Sequence, residues 1–218
     1  MWKLIKIVGW FLAPPGILAY GKTLLSHDYA AGWELIQVQI AGFSASVGIV
    51  CWLLLRRRVR FFHVFDHELT HLIFGLFFFY KPKVFVASDK DGMVGLYGNN
   101  FFITLAPYYF PVYSYFLLLL YPLLRPEIYP YFFALLGLTT GYHLSSKLQD
   151  FRFSQPDIMH EGRIFSIIFC LFGSIISFGC LFFFVSGGFP GALTYLKSGI
   201  EVLMFLISAA LNFLSAPH

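Results

Sequence analysis

Charged residues are scarce in this 218-residue sequence: Asp, Glu, Lys and Arg make up 12% of it, against 58% hydrophobic residues. A soluble domain of this length carries roughly twice that share of charge, so the composition excludes an ordinary soluble protein. The mean hydropathy is +0.73, and apolar stretches of about 18 residues, long enough to cross a hydrocarbon core, recur along the chain. The composition therefore predicts a multi-pass integral protein of the lipid bilayer.

Cysteine is scarce as well. Cys51, Cys170 and Cys180 lie far apart within apolar segments, which argues against a disulfide framework and against a cysteine zinc site. The net charge is +4, but the basic residues cluster at the ends of apolar segments, where they anchor helices and set their orientation. The sequence contains no long basic run and no nucleic-acid-binding motif, so we expect no nucleic-acid partner.

Seven apolar segments account for most of the chain. The first follows Lys3 and Lys6 and has the outline of a signal peptide without a small-x-small cleavage site, so we expect it to remain as a span. No internal repeat or long linker divides the chain. We predict an all-α polytopic membrane protein with six or seven transmembrane helices, one domain over residues 1–218 with its core at about 61–175. The segments lie near residues 4–20, 33–55, 61–80, 101–124, 130–148, 163–186 and 192–214.

Two features flank the third apolar segment. The run RRRVR at 56–60 precedes it and, by the positive-inside rule, lies on the cytoplasmic side together with Lys3 and Lys6. The partly alternating stretches KVFVAS and MVGLYG follow it, separated by DKDG, which has good turn chemistry. We expect a small β-hairpin there, with an exposed strand edge to which an extended peptide can pair.

The third segment contains HELTH at 67–71. Residues four apart lie on one face of an α-helix, about 6 Å apart along the axis, so His67 and His71 can bind one metal ion. Glu68 projects beside that ion, where it can take a proton from a zinc-bound water. With seven His and five Glu in the chain, a chance match to this metalloprotease pattern has a probability of roughly half a percent. Ionisable groups inside a membrane segment are also costly and usually functional.

His63 adds a third imidazole to the same helix face. His63 and His71 lie about 12 Å apart along the axis, too far to share one ion. The competing pair of His63 and His67 has no Glu after its first His, so we assign the ion to His67 and His71. We expect His63 to be an interfacial residue or to support a ligand, and Asp66 to start the helix or to orient an imidazole.

HELTH in an apolar helix, the hairpin-like stretch after it and an Asp near the start of a later span together resemble the site-2-protease-like group of intramembrane zinc metalloproteases. The resemblance covers roughly residues 61–175. It implies a Zn2+-dependent endopeptidase in which Glu68 is catalytic and His67, His71 and a later Asp bind the zinc. In that group the Asp belongs to an Asp-Gly motif that opens a transmembrane helix, and this sequence has no such Asp-Gly.

Asp157, in SQPDIMHEGRIF before an apolar run, is the nearest equivalent and our preferred third ligand. Catalytic zinc takes three protein ligands and a water. Asp150, His143 and His160 are the alternatives, and His143 stands out because it lies within an apolar helix. Asp157 can also be explained as a helix N-cap, and His143 as a hydrogen-bonded packing residue.

Asp157 reaches His67 only if one segment between them fails to cross the membrane. Full crossings by segments 61–80, 101–124 and 130–148 would put Asp157 on the face opposite Arg60, although His67 lies only about 10 Å from Arg60 along the helix. We expect FFITLAPYYFP to be the broken segment, because it contains Pro107 and Pro111. Irregular backbone at membrane depth is tolerated where it is buried in protein or lines a cavity, and the resembled family also has a proline-containing stretch there.

The leading hypothesis is a zinc-dependent intramembrane endopeptidase that cleaves membrane-anchored proteins or peptides, in the cytoplasmic membrane of a bacterium. Asn99 and Asn100 would bind substrate backbone or an oxyanion, although ordinary turn chemistry is the simpler explanation for both. A transporter of metal ions or protons is the alternative, but transporters often contain repeats, and no second histidine stripe occurs. A non-catalytic relative that binds client proteins is a third possibility, against which the intact HELTH speaks.

Overall fold

A computed structural model of the chain describes residues 1–26, 35–88 and 91–215, with side chains up to Asn212. The described part is mostly helical and has one two-stranded sheet. Short 3-10 turns occupy Ala106–Tyr108, Tyr121–Leu123 and Pro126–Ile128. The main elements are α1 (Trp2–Leu25), α2 (Ile36–Leu55), α3 (Arg60–Phe77), β1 (Pro82–Ala87), β2 (Gly92–Leu96), α4 (Phe101–Leu105), α5 (Val112–Leu120), α6 (Tyr129–Asp150), α7 (Pro156–Glu161) and α8 (Arg163–Ser215).

Three of the described helices, α1, α2 and α8, are long and apolar enough to cross a membrane. A fourth candidate consists of α4 and α5 with the 3-10 turns that continue them, which together are bent by 88°. These helices agree with the predicted membrane protein. The predicted number of six or seven spans is not confirmed by this criterion.

Helix α8 turns back on itself at a glycine pair. Gly187 and Gly188 have non-helical backbone angles, and Gly188 has a φ of +62°, which favours glycine because a side chain is strained there. The Tyr195 hydroxyl donates a hydrogen bond of 2.9 Å to the carbonyl of Ile175. Twenty residues of straight helix would separate these groups by about 30 Å. The two legs of α8 therefore correspond to two of the predicted apolar segments.

Small residues bring α2 and α6 into close contact. A Cβ added at Gly137 would lie 2.2 Å from the carbonyl oxygen of Ala41, and one added at Gly141 would lie 2.0 Å from that of Ala45. Glycine and alanine at such positions let helix backbones approach closely. Because residue numbers rise together along both helices, α2 and α6 run in the same direction, and their carboxyl-terminal ends lie at the same end of the bundle.

The first leg of α8 runs alongside α1 in the same way. Gly9 packs against Phe165, and Gly16 packs against Phe172, so α1 and α8 begin at the same end. Beside that end, Lys6 of α1 forms an ion pair with Glu161 of α7. The start of α2 shares a core cluster with the far end of the same α8 leg, through Val38, Phe184 and Val185. One end of the bundle therefore collects the starts of α1 and α8 and the carboxyl termini of α2 and α6.

Helix α3 lies across this end of the bundle. Near its start, the His63 ring packs 4.8 Å from Trp52 of α2, and its Nε2 lies 2.8 Å from Asp150 of α6. Past its other end, Phe78 packs against Trp2 of α1. Helix α3 is about 27 Å long. Both of its ends therefore contact helix termini at the same end of the bundle. Segment 61–80 is helical as predicted, but its contacts differ from those of a helix that passes through the bundle.

The hairpin predicted after α3 is confirmed. Strands β1 and β2 are antiparallel, with Phe85 opposite Val94, while Asp89 and Lys90 of the predicted turn lie outside the described residues. Strand β2 follows α3, since Gly92 lies against Val64 and Glu68, and Leu96 lies against Gly75. The sheet therefore covers the HELTH part of α3.

The bend predicted in segment 101–124 is also confirmed. The sequence predicted that this bent segment would fail to cross the membrane, but the segment whose two ends meet one end of the bundle is α3. Helix α4 passes into a 3-10 turn containing Pro107, and α5 starts after Pro111 at an angle of 88° to it. The Tyr113 hydroxyl just beyond the break donates to the carbonyl of Phe62 near the start of α3. The irregular backbone of the break is buried in protein, which is where such backbone is tolerated at membrane depth.

We expect single cysteines at Arg57, Lys81 and Arg152 to react with an impermeant thiol reagent from one side of sealed vesicles. A cysteine at Glu127, in the turn before α6, should react from the other side. All four positions are exposed, and a Cys51→Ala background removes the exposed native thiol. Positions 57, 81 and 152 should react from one side because both ends of α3 meet one end of the bundle. Reaction at positions 57 and 81 from opposite sides would instead show that α3 crosses the membrane.

Candidate metal centre

Three predicted ligands meet in one place. His67 and His71 lie one turn apart on α3, and their Nε2 atoms are 3.2 Å apart. The Asp157 Oδ2 atom of α7 lies 3.5 Å from the Nε2 of His67 and 3.6 Å from that of His71. Within the described residues, this is the group of His, Cys, Asp and Glu side chains that could hold a metal ion.

The spacing of these atoms fits a tetrahedral ion. Bonds of about 2.0–2.1 Å at tetrahedral angles put neighbouring ligand atoms about 3.3–3.4 Å apart. The three measured separations, 3.2, 3.5 and 3.6 Å, lie close to that value. Three protein donors also leave a fourth position for water or substrate, which is the arrangement of catalytic metal sites.

The broken segment orients two of the three ligands. The His71 Nδ1–H donates a hydrogen bond of 2.8 Å to the carbonyl of Ile103 in α4, which leaves the lone pair of Nε2 directed at the metal position. The Tyr108 hydroxyl donates a hydrogen bond of 3.1 Å to Asp157 Oδ2, and the Tyr108 ring packs edge-on against His67. Such supporting contacts fix ligand orientation and raise metal affinity.

Asp157 lies in the first turn of α7, with Pro156 before it and Gln155 at the N-cap position. It is therefore not the helix N-cap, which was the other explanation of this residue. Burial by itself would raise the pKa of the Asp157 carboxyl, but the two imidazoles beside it outweigh that effect and hold the pKa well below its ordinary value. The side chain is thus ionised and able to bind a cation at neutral pH.

Glu68 lies beside the triad on the next position of α3 and is 9% exposed. Strand β2 covers it, since a Cβ added at Gly92 would lie 2.6 Å from Glu68 Cγ and 2.8 Å from its Oε1. Glycine at position 92 is what lets the strand approach the carboxylate this closely.

A groove of about 760 Å3 contains the triad and Glu68. Helix α3 and strand β2 form adjoining walls. Residues 92–96 of β2 all line the groove, whereas no β1 residue does. Because the described sheet has two strands and β1 occupies one side of β2, the other edge of β2 borders the groove. The predicted strand edge is therefore present beside the triad.

The other candidate ligands lie elsewhere. Asp150 contacts His63, as does the Tyr142 hydroxyl at 3.5 Å. His143 is buried beside Asp66, with its Nδ1 3.5 Å from Asp66 Oδ2. His160 contacts the neighbouring Glu161, and its side chain is 70% exposed. None of these three alternatives belongs to the metal-holding group found among the described residues.

Asp66 is not a helix-start residue, since it is the seventh residue of α3 and fully buried. Its Oδ2 accepts a hydrogen bond of 3.1 Å from the ammonium group of Lys147 in α6, whose side chain is 6% exposed. This buried ion pair joins the HELTH helix to α6 one residue before His67. Sequence reasoning did not single out Lys147, although a lysine inside an apolar helix is itself a signal.

Asn99 and Asn100 have different surroundings. Asn100 is the N-cap of α4, where its Oδ1 accepts a hydrogen bond from the backbone N–H of Ile103, as the simpler explanation required. Asn99 lines the groove and donates to the Thr104 hydroxyl at 3.0 Å. Of the two, Asn99 is the one placed where it can meet a substrate.

We expect His67→Ala, His71→Ala and Asp157→Ala each to lower the metal content of purified protein from about one ion per chain to a small fraction. Two remaining donors make an incomplete site. His63→Ala and Asp150→Ala are matched controls that remove the same functional groups outside the triad and should retain the metal. Elemental analysis of dialysed protein measures the content. Loss of metal from a control together with its retention in Asp157→Ala would disprove the assignment.

Lys147→Met should destabilise the protein by about 3–5 kcal/mol, because it leaves the Asp66 carboxylate buried without its partner. The double variant Asp66→Asn with Lys147→Met removes both charges and should recover most of that loss. Lys197→Met, at an exposed lysine of α8, is the control. Thermal unfolding in detergent gives the comparison. Equal midpoints for Lys147→Met and Lys197→Met would show that the buried pair contributes no stability.

Comparison with protein-family models, with curated proteins and with solved structures finds no match for this chain. The functional assignment therefore rests on the geometry and chemistry of its own residues.

Proposed function

We propose that this protein is a zinc-dependent endopeptidase of the membrane, similar to the site-2-protease-like group, and that it cleaves membrane-anchored proteins. The observation that carries the proposal is the triad of His67, His71 and Asp157 with Glu68 beside it. A metal-binding triad alone fits many roles. A buried carboxylate next to it, in a groove bordered by a strand edge, is the combination that peptide hydrolysis needs.

Zinc is the metal that we assign to the triad. Two imidazoles and one carboxylate are a donor set typical of catalytic zinc, and the separations of the donor atoms suit its tetrahedral geometry. When bound, zinc supplies a Lewis acid that makes water a nucleophile near neutral pH and polarises a carbonyl oxygen.

Glu68 is the general base of the proposed reaction. Its carboxylate takes the proton of the attacking water and returns it to the amine of the departing peptide. Its low exposure and the cover of β2 keep bulk water away, which favours proton transfer to a reacting group over exchange with solvent. Asn99, in the same groove, is the side chain that we assign to hold the substrate backbone.

The β2 edge is the proposed substrate-binding element. An extended peptide laid along it gains main-chain hydrogen bonds from the strand and lies beside β2, over Glu68 and the triad. A helical substrate has no free backbone groups to offer such an edge. The proposed enzyme therefore acts on membrane-anchored chains in segments that have unwound into an extended conformation.

The proposed location is the cytoplasmic membrane of a bacterium, with the groove near the cytoplasmic face. Basic runs occur at both ends of α3, at 56–60 and in KPK at 81–83, and cytoplasmic loops carry an excess of such residues. Because α3 lies across one end of the bundle, the proposed count is six spans, with the two legs of α8 counted separately.

Glu68→Gln should keep the bound metal and lower proteolysis by about 10²–10⁴-fold, since it removes the base while keeping the shape of the side chain. Glu127→Gln, at an exposed glutamate outside the groove, is the control with full activity. Cleavage of single-span reporter proteins in liposomes measures the rate, and elemental analysis measures the metal.

Undiminished cleavage by Glu68→Gln would remove the proposed mechanism. Flux of metal ions or protons through the same liposomes, without cleavage of any reporter by the wild type, would favour a transporter instead.

A further inference from the structure

A second cavity, of about 490 Å3, adjoins the groove at the start of α3. Part of its wall is shared with the groove: Arg60, His63, Val64, Asp150 and Gln155. The rest of its wall consists of Trp52, Arg56, Arg57, Gln149 and Arg152. We call this cavity the arginine chamber. The shared residues make it a side chamber of the groove that holds the triad.

The arginine chamber has an excess of positive charge. Arg56, Arg57 and Arg152 line it together with one carboxylate, that of Asp150, and this carboxylate already contacts His63. Among the described residues, no ion pair involves Arg56, Arg57 or Arg152. Charges of one sign inside a cleft with low-dielectric walls focus the electric field and concentrate ligands of the opposite sign.

Anchoring at the membrane surface does not account for this arrangement. Arg58 belongs to the same basic run, yet it does not line the chamber. Arg152, which does, comes from the link between α6 and α7, far along the chain. Two separate segments thus bring guanidinium groups to one cavity, and guanidinium groups bind carboxylates with paired hydrogen bonds.

The axis of β2, followed backward from Leu96 to Gly92, points toward the chamber. The first residue of β2, Gly92, lies over Val64 and Glu68, and its last, Leu96, lies over Gly75. A peptide laid along β2 and continued past Gly92 therefore runs toward the start of α3. Arg60 lies about 10 Å before His67 along the helix axis, a distance that about three residues of extended chain cover.

We propose that the arginine chamber is a specificity subsite that binds an Asp or Glu side chain of the substrate, about three residues from the scissile bond. This inference rests on the proposed endopeptidase function and adds the substrate class to it: membrane-anchored chains with an acidic residue close to the cleavage position. An anionic lipid headgroup is the competing occupant. Continuity with the groove and strand β2 favours the substrate.

The first experiment determines which residues the enzyme prefers around the cleaved bond. A peptide library randomised at each position is cleaved by the enzyme in nanodiscs of phosphatidylcholine alone, and mass spectrometry identifies the products. We expect Asp and Glu to be enriched about tenfold at one position, about three residues from the bond. The double variant Arg57→Glu with Arg152→Glu should reverse the preference to Lys and Arg, and Arg58→Glu should leave it unchanged.

The second experiment measures binding without catalysis. Glu68→Gln protein is titrated with two fluorescent peptides that differ by Glu→Ala at the selected position. The Glu peptide should bind about tenfold more tightly at low salt, and the difference should shrink as ionic strength rises. Adding Arg57→Ala and Arg152→Ala to the Glu68→Gln protein should abolish the difference in affinity between the two peptides.

The outcomes separate the two proposals. Cleavage without any acidic preference, together with equal binding of the two peptides, overturns the subsite and leaves the endopeptidase standing. An effect of the arginine variants that appears only when phosphatidylglycerol is added to the nanodiscs overturns the subsite in favour of a lipid headgroup. If no library member is cleaved by wild-type protein that contains metal, the proposed function itself fails, and the subsite fails with it.

Discussion

The convergence of three donor atoms from two distant chain segments is the constraint that the rest of the structure satisfies. His67, His71 and Asp157 can share an ion only if their donor atoms lie about 3.4 Å apart, and they lie 3.2–3.6 Å apart. Helix α7 must therefore lie against the middle of α3. This placement is reached because α6 ends beside the start of α3, where Asp150 contacts His63, and α8 begins directly after α7.

Buried polar contacts set the rotation of α3 within that arrangement. One face of the helix carries His63, His67 and His71 toward the groove, while Asp66, about 100° from His67 around the helix axis, contacts Lys147 of α6. A buried ion pair contributes little net stability compared with apolar residues, but removing one partner is costly. The pair therefore penalises a rotated α3 more strongly than apolar packing would, and a rotated α3 would move both imidazoles away from Asp157.

Sequence reasoning succeeded where the signal is local. HELTH, the hairpin with its turn residues and the prolines of the break are patterns within a few residues, and each appears in the structure. Two supporting hydrogen bonds are not local. Tyr108 and Asp157 are 49 positions apart, and Lys147 and Asp66 are 81 positions apart. No local periodicity encodes such pairs. The placement of α3 was overlooked for another reason. Basic residues flank it on both sides, a pattern that suits a helix with both ends at one face.

The position of α3 across one end of the bundle also bears on how a membrane-anchored chain reaches the site. Peptide hydrolysis needs water, and a groove at the end of the bundle receives it without a channel through the hydrocarbon. The substrate must present extended backbone to β2, and a transmembrane helix is most easily unwound at its ends, where the last backbone groups have no partner within the helix. For the endopeptidase that we propose, these two requirements point to the same place. The bond cleaved lies near the end of the substrate helix, on the side where the arginine chamber opens, rather than at its midpoint.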